Sequence, residues 1–285
     1  MSIASASDQV APLEPNPDFD LDPYIYGVAA VLGGTANVIM QLSSAPVGYG
    51  VVESTVDSGK VTKHPIKRAR TTISYLSVAL LGTDEERLRY REAVNTSHRP
   101  VHSGPNSPVK YNAFSPKLQL WVAACLYKGL EDTLLVMHGP VEPAALDQMY
   151  LHSARLATTL QVDRSMWPRD REAFGEFWER SVEEISIDPT VREYLYGLVM
   201  FDFLPLPIRA WLGPAQRFVV TGFLPQQFRD QMGLSWTARD QKIFDRSMGA
   251  IGAITRRLPG PLRKFPMNFY LADLRLRMRF DRPLV

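Results

Sequence analysis

Two short blocks hold the residue types best suited to chemistry: Pro65-Ile66-Lys67-Arg68-Ala69-Arg70-Thr71-Thr72 and, further along, His98-Arg99-Pro100-Val101-His102-Ser103-Gly104. Arg68 and Thr72 are four residues apart, so on a helix they share one face and can address a small ligand with a cation and a hydroxyl. His98 offers a lone imidazole from a second helix. Pro100 lacks a backbone donor and disfavours helical geometry at Arg99, so the helix that carries His98 should end there. At such an end one ring nitrogen can turn to a backbone carbonyl, with Val94 as the expected partner, and the other can face a metal ion. This layout suits a haem pocket. Spacing alone selects nothing, because Arg-x-x-x-Thr is common and a helix-end histidine is ordinarily structural.

Helices must position these groups, and helix punctuation dominates after Lys60. Thr83-Asp84-Glu85-Glu86 reads as a capping box, Ser115-Pro116 and Asp188-Pro189 as cap and first-turn pairs, and Ser235-Trp236-Thr237 as another helix opening. Tyr90, Val94, Ser97 and His98 follow a helical stripe, as do Phe174, Phe177, Trp178 and Val182. No alternating pattern of useful strand length is present. His102 to Ser115 is the clearest loop, with room for a short hairpin. Prolines at 205, 207, 214, 225, 259, 261 and 266 are expected to divide the C-terminal third into shorter helices. The expectation is therefore an all-α fold, with one domain over residues 21–285 behind a disordered tail over residues 1–20.

Composition removes other classes. The formal net charge is only +2, and basic and acidic residues are interspersed, which gives no nucleic-acid surface. A single cysteine, Cys125, excludes an intrachain disulfide framework and reads as a core thiol. Neither a positive n-region nor an apolar h-region opens the chain, so a cytoplasmic location is expected. Ile25 to Met40 is mostly apolar, but it is short for a membrane span and carries Gly27, Gly33 and Gly34. A buried helix of small residues is the better reading, and no transmembrane segment is expected. His64, His138 and His152 lack metal-ligand spacing, and HExxH, Gly-x-Ser-x-Gly and GxGxxG patterns do not occur.

The order of further segments is more specific. Gly33-Gly34 leads to Gln41-Leu42, then Pro46-Val47-Gly48 with Gly50-Val51. Pro65, Arg68, Thr72 and Tyr75 follow, reaching Gly82, and then come His98, Val101 and Gly104, Tyr111 with Ala113, and Trp121-Val122. In this order and spacing the chain resembles the MpaB and latex-clearing-protein (rubber oxygenase) catalytic domain family. That resemblance implies an all-α protein with a globin-like core that binds haem b and uses dioxygen on a lipophilic, unsaturated or isoprenoid-like small molecule. It further implies His98 as the iron ligand, with Arg68 and Thr72 on the opposite side managing oxygen, Arg68 also touching the cofactor. Glu53 lies near the family's upstream carboxylate, a base for proton abstraction from an allylic carbon, but the match needs a one-residue gap. On its own Glu53 reads as a loop acid before Ser54 and Thr55. His102 falls off the motif position. Two departures stand out: Thr71 replaces a lysine found in rubber-cleaving members, and Ala123 replaces the histidine of a Trp-Val-His triplet. They keep a second reading open, a helical binding protein that holds a hydrophobic ligand without redox chemistry.

Overall fold

The structure is a computed structural model that describes residues 14–56 and 61–285. A 3-10 turn at Asp22–Tyr24 precedes α1 (Gly27–Leu32), α2 (Gly34–Leu42), α3 (Ala45–Val52), α4 (Pro65–Leu81) and α5 (Asp84–His98). Next come α6 (Pro116–His138), α7 (Pro143–Ser153), α8 (Arg155–Thr158), α9 (Arg171–Glu183) and α10 (Pro189–Val199). The chain closes with α11 (Leu206–Phe223), α12 (Gln226–Met232), α13 (Ala238–Arg256), α14 (Gly260–Arg263) and α15 (Met267–Arg279). The described residues contain no strand, so the fold is all-α. The expected hairpin reduces to one antiparallel bridge between His102 and Asn112, with Ser103 N–H donating to the Tyr111 carbonyl and Ala113 N–H to that of Val101.

The central element is α6, whose 23 residues are apolar around most of their circumference. Such a helix must be covered on several sides. On one side α13 crosses it so closely that a Cβ on Gly252 would fall 1.8 Å from the Met137 carbonyl oxygen. On another, α2 places Asn37 where a Cβ on Gly129 would meet its Nδ2 at 2.2 Å. Glycine is needed at Gly252, where a side chain would meet backbone and push the helices apart, whereas at Gly129 a side chain would have to displace the Asn37 amide. One apolar cluster joins α2, α3, α10, α11 and α13. A second joins α4, α6, α7, α8 and α9 around Tyr127, Tyr150, Trp167 and Phe174, with Tyr127 and Phe174 edge to face at 4.7 Å. Burying each such ring stabilises the fold by roughly 1.5–3 kcal/mol.

Local signals set most helix starts. Thr83 and Glu86 form the expected capping box, and the Asp188 carboxylate accepts from Thr190 N–H at 2.8 Å. The helix expected from Ser235 is instead capped by Thr237, which forms its own capping box with Asp240. The stretch from Ile25 to Met40 is not one helix: it breaks at Gly33 into α1 and α2. Proline divides the C-terminal third less than expected, because α11 runs through Pro214. Pro207 sits in the first turn, where no N–H is needed, and Gly213 offers no Cβ for the Pro214 ring to press against. At the end of α5, Arg99 keeps helical angles of φ −50 and ψ −45 despite Pro100. The helix stops because Pro100 cannot donate, not because Arg99 is displaced.

Residues 1–13 of the expected tail lie outside the described residues, but 14–20 make defined contacts. Asn16 N–H donates to Gln148 at 2.7 Å, the Asn16 carbonyl meets His152 Nε2 at 2.9 Å, and Phe19 stacks on Tyr24 and His152. Among the described residues, no helix is long and apolar enough to cross a membrane.

Candidate active site

Arg68 stands in the first turn of α4, Thr72 one turn further on, and both follow from the four-residue spacing. The same stripe continues through Leu76 and Leu80. Thr72, Leu76 and Leu80 line a cavity of about 770 Å³, counting its open mouth, whose other walls are α1, α2, α6, Leu156 and Met267. The lining is largely apolar. Its polar groups include the Thr72 and Thr133 hydroxyls and the Asn37 and Gln41 amides, of which Asn37 is held by the Cys125 carbonyl at 2.6 Å and Gln41 by Asn37 at 2.6 Å. The Thr72 hydroxyl meets no hydrogen-bond partner among the described residues.

Arg68 combines two properties that rarely coincide. Its side chain has open surface, yet enough protein surrounds it that desolvation lowers its pKa, opposed by Tyr194 and Tyr90. Arg68 does not itself line the cavity that Thr72 borders. Its guanidinium makes no hydrogen bond or ion pair with the described residues. A partly desolvated cation without a protein partner is free to meet an anionic or strongly polar ligand.

His98 ends α5, with Phe114 edge-on at 6.4 Å. Burial, and then the nearby Arg68 charge, push its pKa down to about 4, so the imidazole is neutral at neutral pH and has a lone pair to give. Its Nδ1 is buried without a partner. The expected bond to the Val94 carbonyl is not made, since that carbonyl faces along the helix axis rather than toward the ring. His102, by contrast, is exposed in the bridge to Asn112.

The structure thus brings His98 within electrostatic reach of Arg68, and Arg68 into line with Thr72 and the cavity. It does not bring Glu53 to them. Glu53 caps the C-terminus of α3 and accepts from the Tyr111 hydroxyl at 2.9 Å. Burial, and then that carboxylate, push the Tyr111 hydroxyl up to about 12. Tyr194 and the Asn37 amide are not singled out by the sequence, because residues far apart in the chain meet there only through packing. At the two departures, the Thr71 hydroxyl bonds back to the Lys67 and Arg68 carbonyls, and Ala123 is buried in the core. Cys125 is buried and free, as expected of a core thiol.

An imidazole held neutral without a partner lies near an unpaired guanidinium, which leaves a nitrogen lone pair and a cation free for a ligand. Among the described residues, no cluster of three His, Cys, Asp or Glu side chains could hold a metal ion by itself. Comparison with known proteins places this all-helical chain in a class of oxygenases. Residues 25–253 match the family described as ER-bound oxygenase mpaB/B'/Rubber oxygenase, catalytic domain, and the chain belongs to that family. Among its relatives are the uncharacterized proteins Rv2237 of Mycobacterium tuberculosis and Mb2261 of Mycobacterium bovis. Each is 50% identical over 250 residues, spanning 88% of this chain and 98% of the relative. No solved structure matches the chain significantly.

Proposed function

We propose that the protein is a haem b oxygenase that uses dioxygen on a lipophilic, unsaturated or isoprenoid-like small molecule, with the globin-like haem core that the family resemblance implies. The observation that carries this reading is the juxtaposition of an unpartnered, neutral His98 with an unpaired Arg68 that stands one helical turn from Thr72, a residue of the apolar cavity wall. His98 would hold the iron, and haem, when bound, supplies the chemistry that activates dioxygen. Arg68 orients polar or negatively charged oxygen atoms by charge-assisted hydrogen bonds from its unpaired guanidinium. Thr72 offers its free hydroxyl one turn away. The cavity walls exclude water from an apolar substrate. Glu53, as a base for an allylic proton, would need Tyr111 to release its carboxylate and the substrate to reach the end of α3.

The absorption spectrum of the full chain, expressed with a haem precursor, tests the reading. A Soret band at near-stoichiometric haem is expected. Because the Thr71 hydroxyl is tied to its own helix and offers no amine, added imidazole or cyanide should bind the ferric protein readily. A protein that takes up a hydrophobic fluorophore but never haem would favour the non-catalytic binding reading.

A further inference from the structure

We infer that α15 docks the protein on an anionic lipid surface. This goes beyond the proposed oxygenase reading and does not depend on haem. The helix is apolar on two opposite faces. Met267, Leu271, Leu274 and Met278 form the stripe buried against the protein. Phe265, Phe269, Ala272, Leu276 and Phe280, at intervals of four, three, four and four, form a second stripe that points outward. Its large members are 56%, 56%, 54% and 61% exposed. Phe269 and Leu276 on α15, continued by Phe265 just before the helix and Phe280 at its C-cap, form a patch of the kind that marks an interaction surface, unlike scattered exposed leucines.

The charge around the stripe indicates what covers it. From Ile254 to Val285, eight Lys or Arg residues accompany only Asp273 and Asp281, although the whole chain has a net charge of +2. The rest of the molecule is therefore net negative, and the positive charge gathers beside the apolar stripe. Arg279 and Arg282 lie over the Phe280 ring at 5.8 and 6.0 Å and meet no carboxylate among the described residues. Arg257 donates only to the Ala253 carbonyl. Phenylalanine and leucine flanked by unpaired arginines match the boundary between acyl chains and anionic headgroups.

The stripe is also joined to the cavity. Met267 lines the cavity wall, and Phe265 and Phe269 flank it two residues away on either side. In α1, Ala29 and Ala30 line the same cavity while Val31 is exposed. Docking by this face would set an apolar cavity beside the acyl region, where a lipophilic ligand dissolves. Lys264, Arg275 and Arg277 beside the stripe are paired with Asp22, Glu86 and Asp273, which leaves Arg257, Arg279 and Arg282 without a carboxylate among the described residues. At a second exposed apolar group, Leu206, Ile208 and Trp211 on α11, the neighbouring Arg209 is instead paired with Asp202 at 3.1 Å.

Flotation of the full chain with vesicles tests the proposal. Partition onto equimolar phosphatidylcholine and phosphatidylglycerol should exceed that onto phosphatidylcholine alone by about tenfold and should fall with added salt. The double variant Phe269→Glu/Phe280→Glu should reduce it by about tenfold or more, and Arg279→Glu/Arg282→Glu should remove the preference for the anionic lipid. All four positions are exposed, and far-ultraviolet circular dichroism confirms that the variants fold. No partition of the wild-type chain onto either vesicle overturns the proposal. So does loss of binding in Trp211→Glu with none in the phenylalanine variant, or a stripe whose removal abolishes self-association instead.

Discussion

Two arginines, one buried and one with open surface, are satisfied in opposite ways. Arg229 on α12 donates from Nε to the Thr221 carbonyl at 2.8 Å and from Nη2 to that of Gly222 at 3.1 Å, with the Trp236 ring 5.0 Å from its guanidinium. Arg68 has no such partner. Desolvation lowers the pKa of both, but only Arg229 recovers the cost through bonds that the fold supplies. One cation completes the end of a helix, the other waits for something from outside. His152 and His98 both bury an unpartnered Nδ1, but the Nε2 of His152 meets the Asn16 carbonyl, whereas that of His98 meets nothing among the described residues.

The largest effect expected of this contrast is on cofactor binding. His98→Ala should lower the haem retained on purification by tenfold or more, as loss of an iron ligand does, whereas His102→Ala should leave it unchanged. Equal haem in the two variants would remove His98 from the site. Next in size is folding stability. Arg229→Ala leaves two buried carbonyls without donors and should cost about 2–3 kcal/mol in urea unfolding. Arg68→Ala removes an unpaired charge and should change stability by less than about 1 kcal/mol. Similar losses at the two sites would mean that Arg68 is also structural.

The pH profile offers a subtler check. In the unfolded chain a histidine titrates near its ordinary value of about 6.5, and in the fold burial holds His98 down to about 4. Between these values the unfolded state binds more protons, so the stability contributed by neutral His98 is complete above pH 6.5 and is lost as the pH falls toward 4. The loss attributable to His98 should be on the order of 3 kcal/mol. His138 and His152 are shifted the same way, so the difference between wild type and His98→Gln isolates it. A parallel pH dependence in both proteins would contradict the burial argument. The smallest effect is expected at Thr72, where Thr72→Val keeps the shape and should move the unfolding midpoint little while weakening the handling of polar ligands in the cavity.

How much of this was legible in the sequence depends on distance along the chain. Caps such as Thr83 with Glu86 are set by three or four neighbouring residues and could be read directly. So could the shared face of Arg68 and Thr72, because helical periodicity fixes it. The break at Gly33 and the passage of α11 through Pro214 could not, since tertiary packing there overrides local propensity. The bare Nδ1 of His98, the proximity of Tyr194 to Arg68 and the pairing of Glu53 with Tyr111 are all long-range facts. Resemblance to a family supplied the residues of the site; only the fold distinguishes those that are satisfied from those that are not.

The short helix α1 carries a consequence for motion. Six residues cannot sustain a helix on their own in water, so its order is borrowed from what touches it. At Gly27 that contact is close enough that a Cβ would lie 2.2 Å from the Phe265 carbonyl oxygen. Amide hydrogen exchange in α1 should therefore report local opening well before global unfolding. Because Ala29 and Ala30 belong to the cavity wall, the rate at which that segment breathes sets an upper limit on how fast a bulky ligand can pass it, and Gly27→Ala should raise that rate.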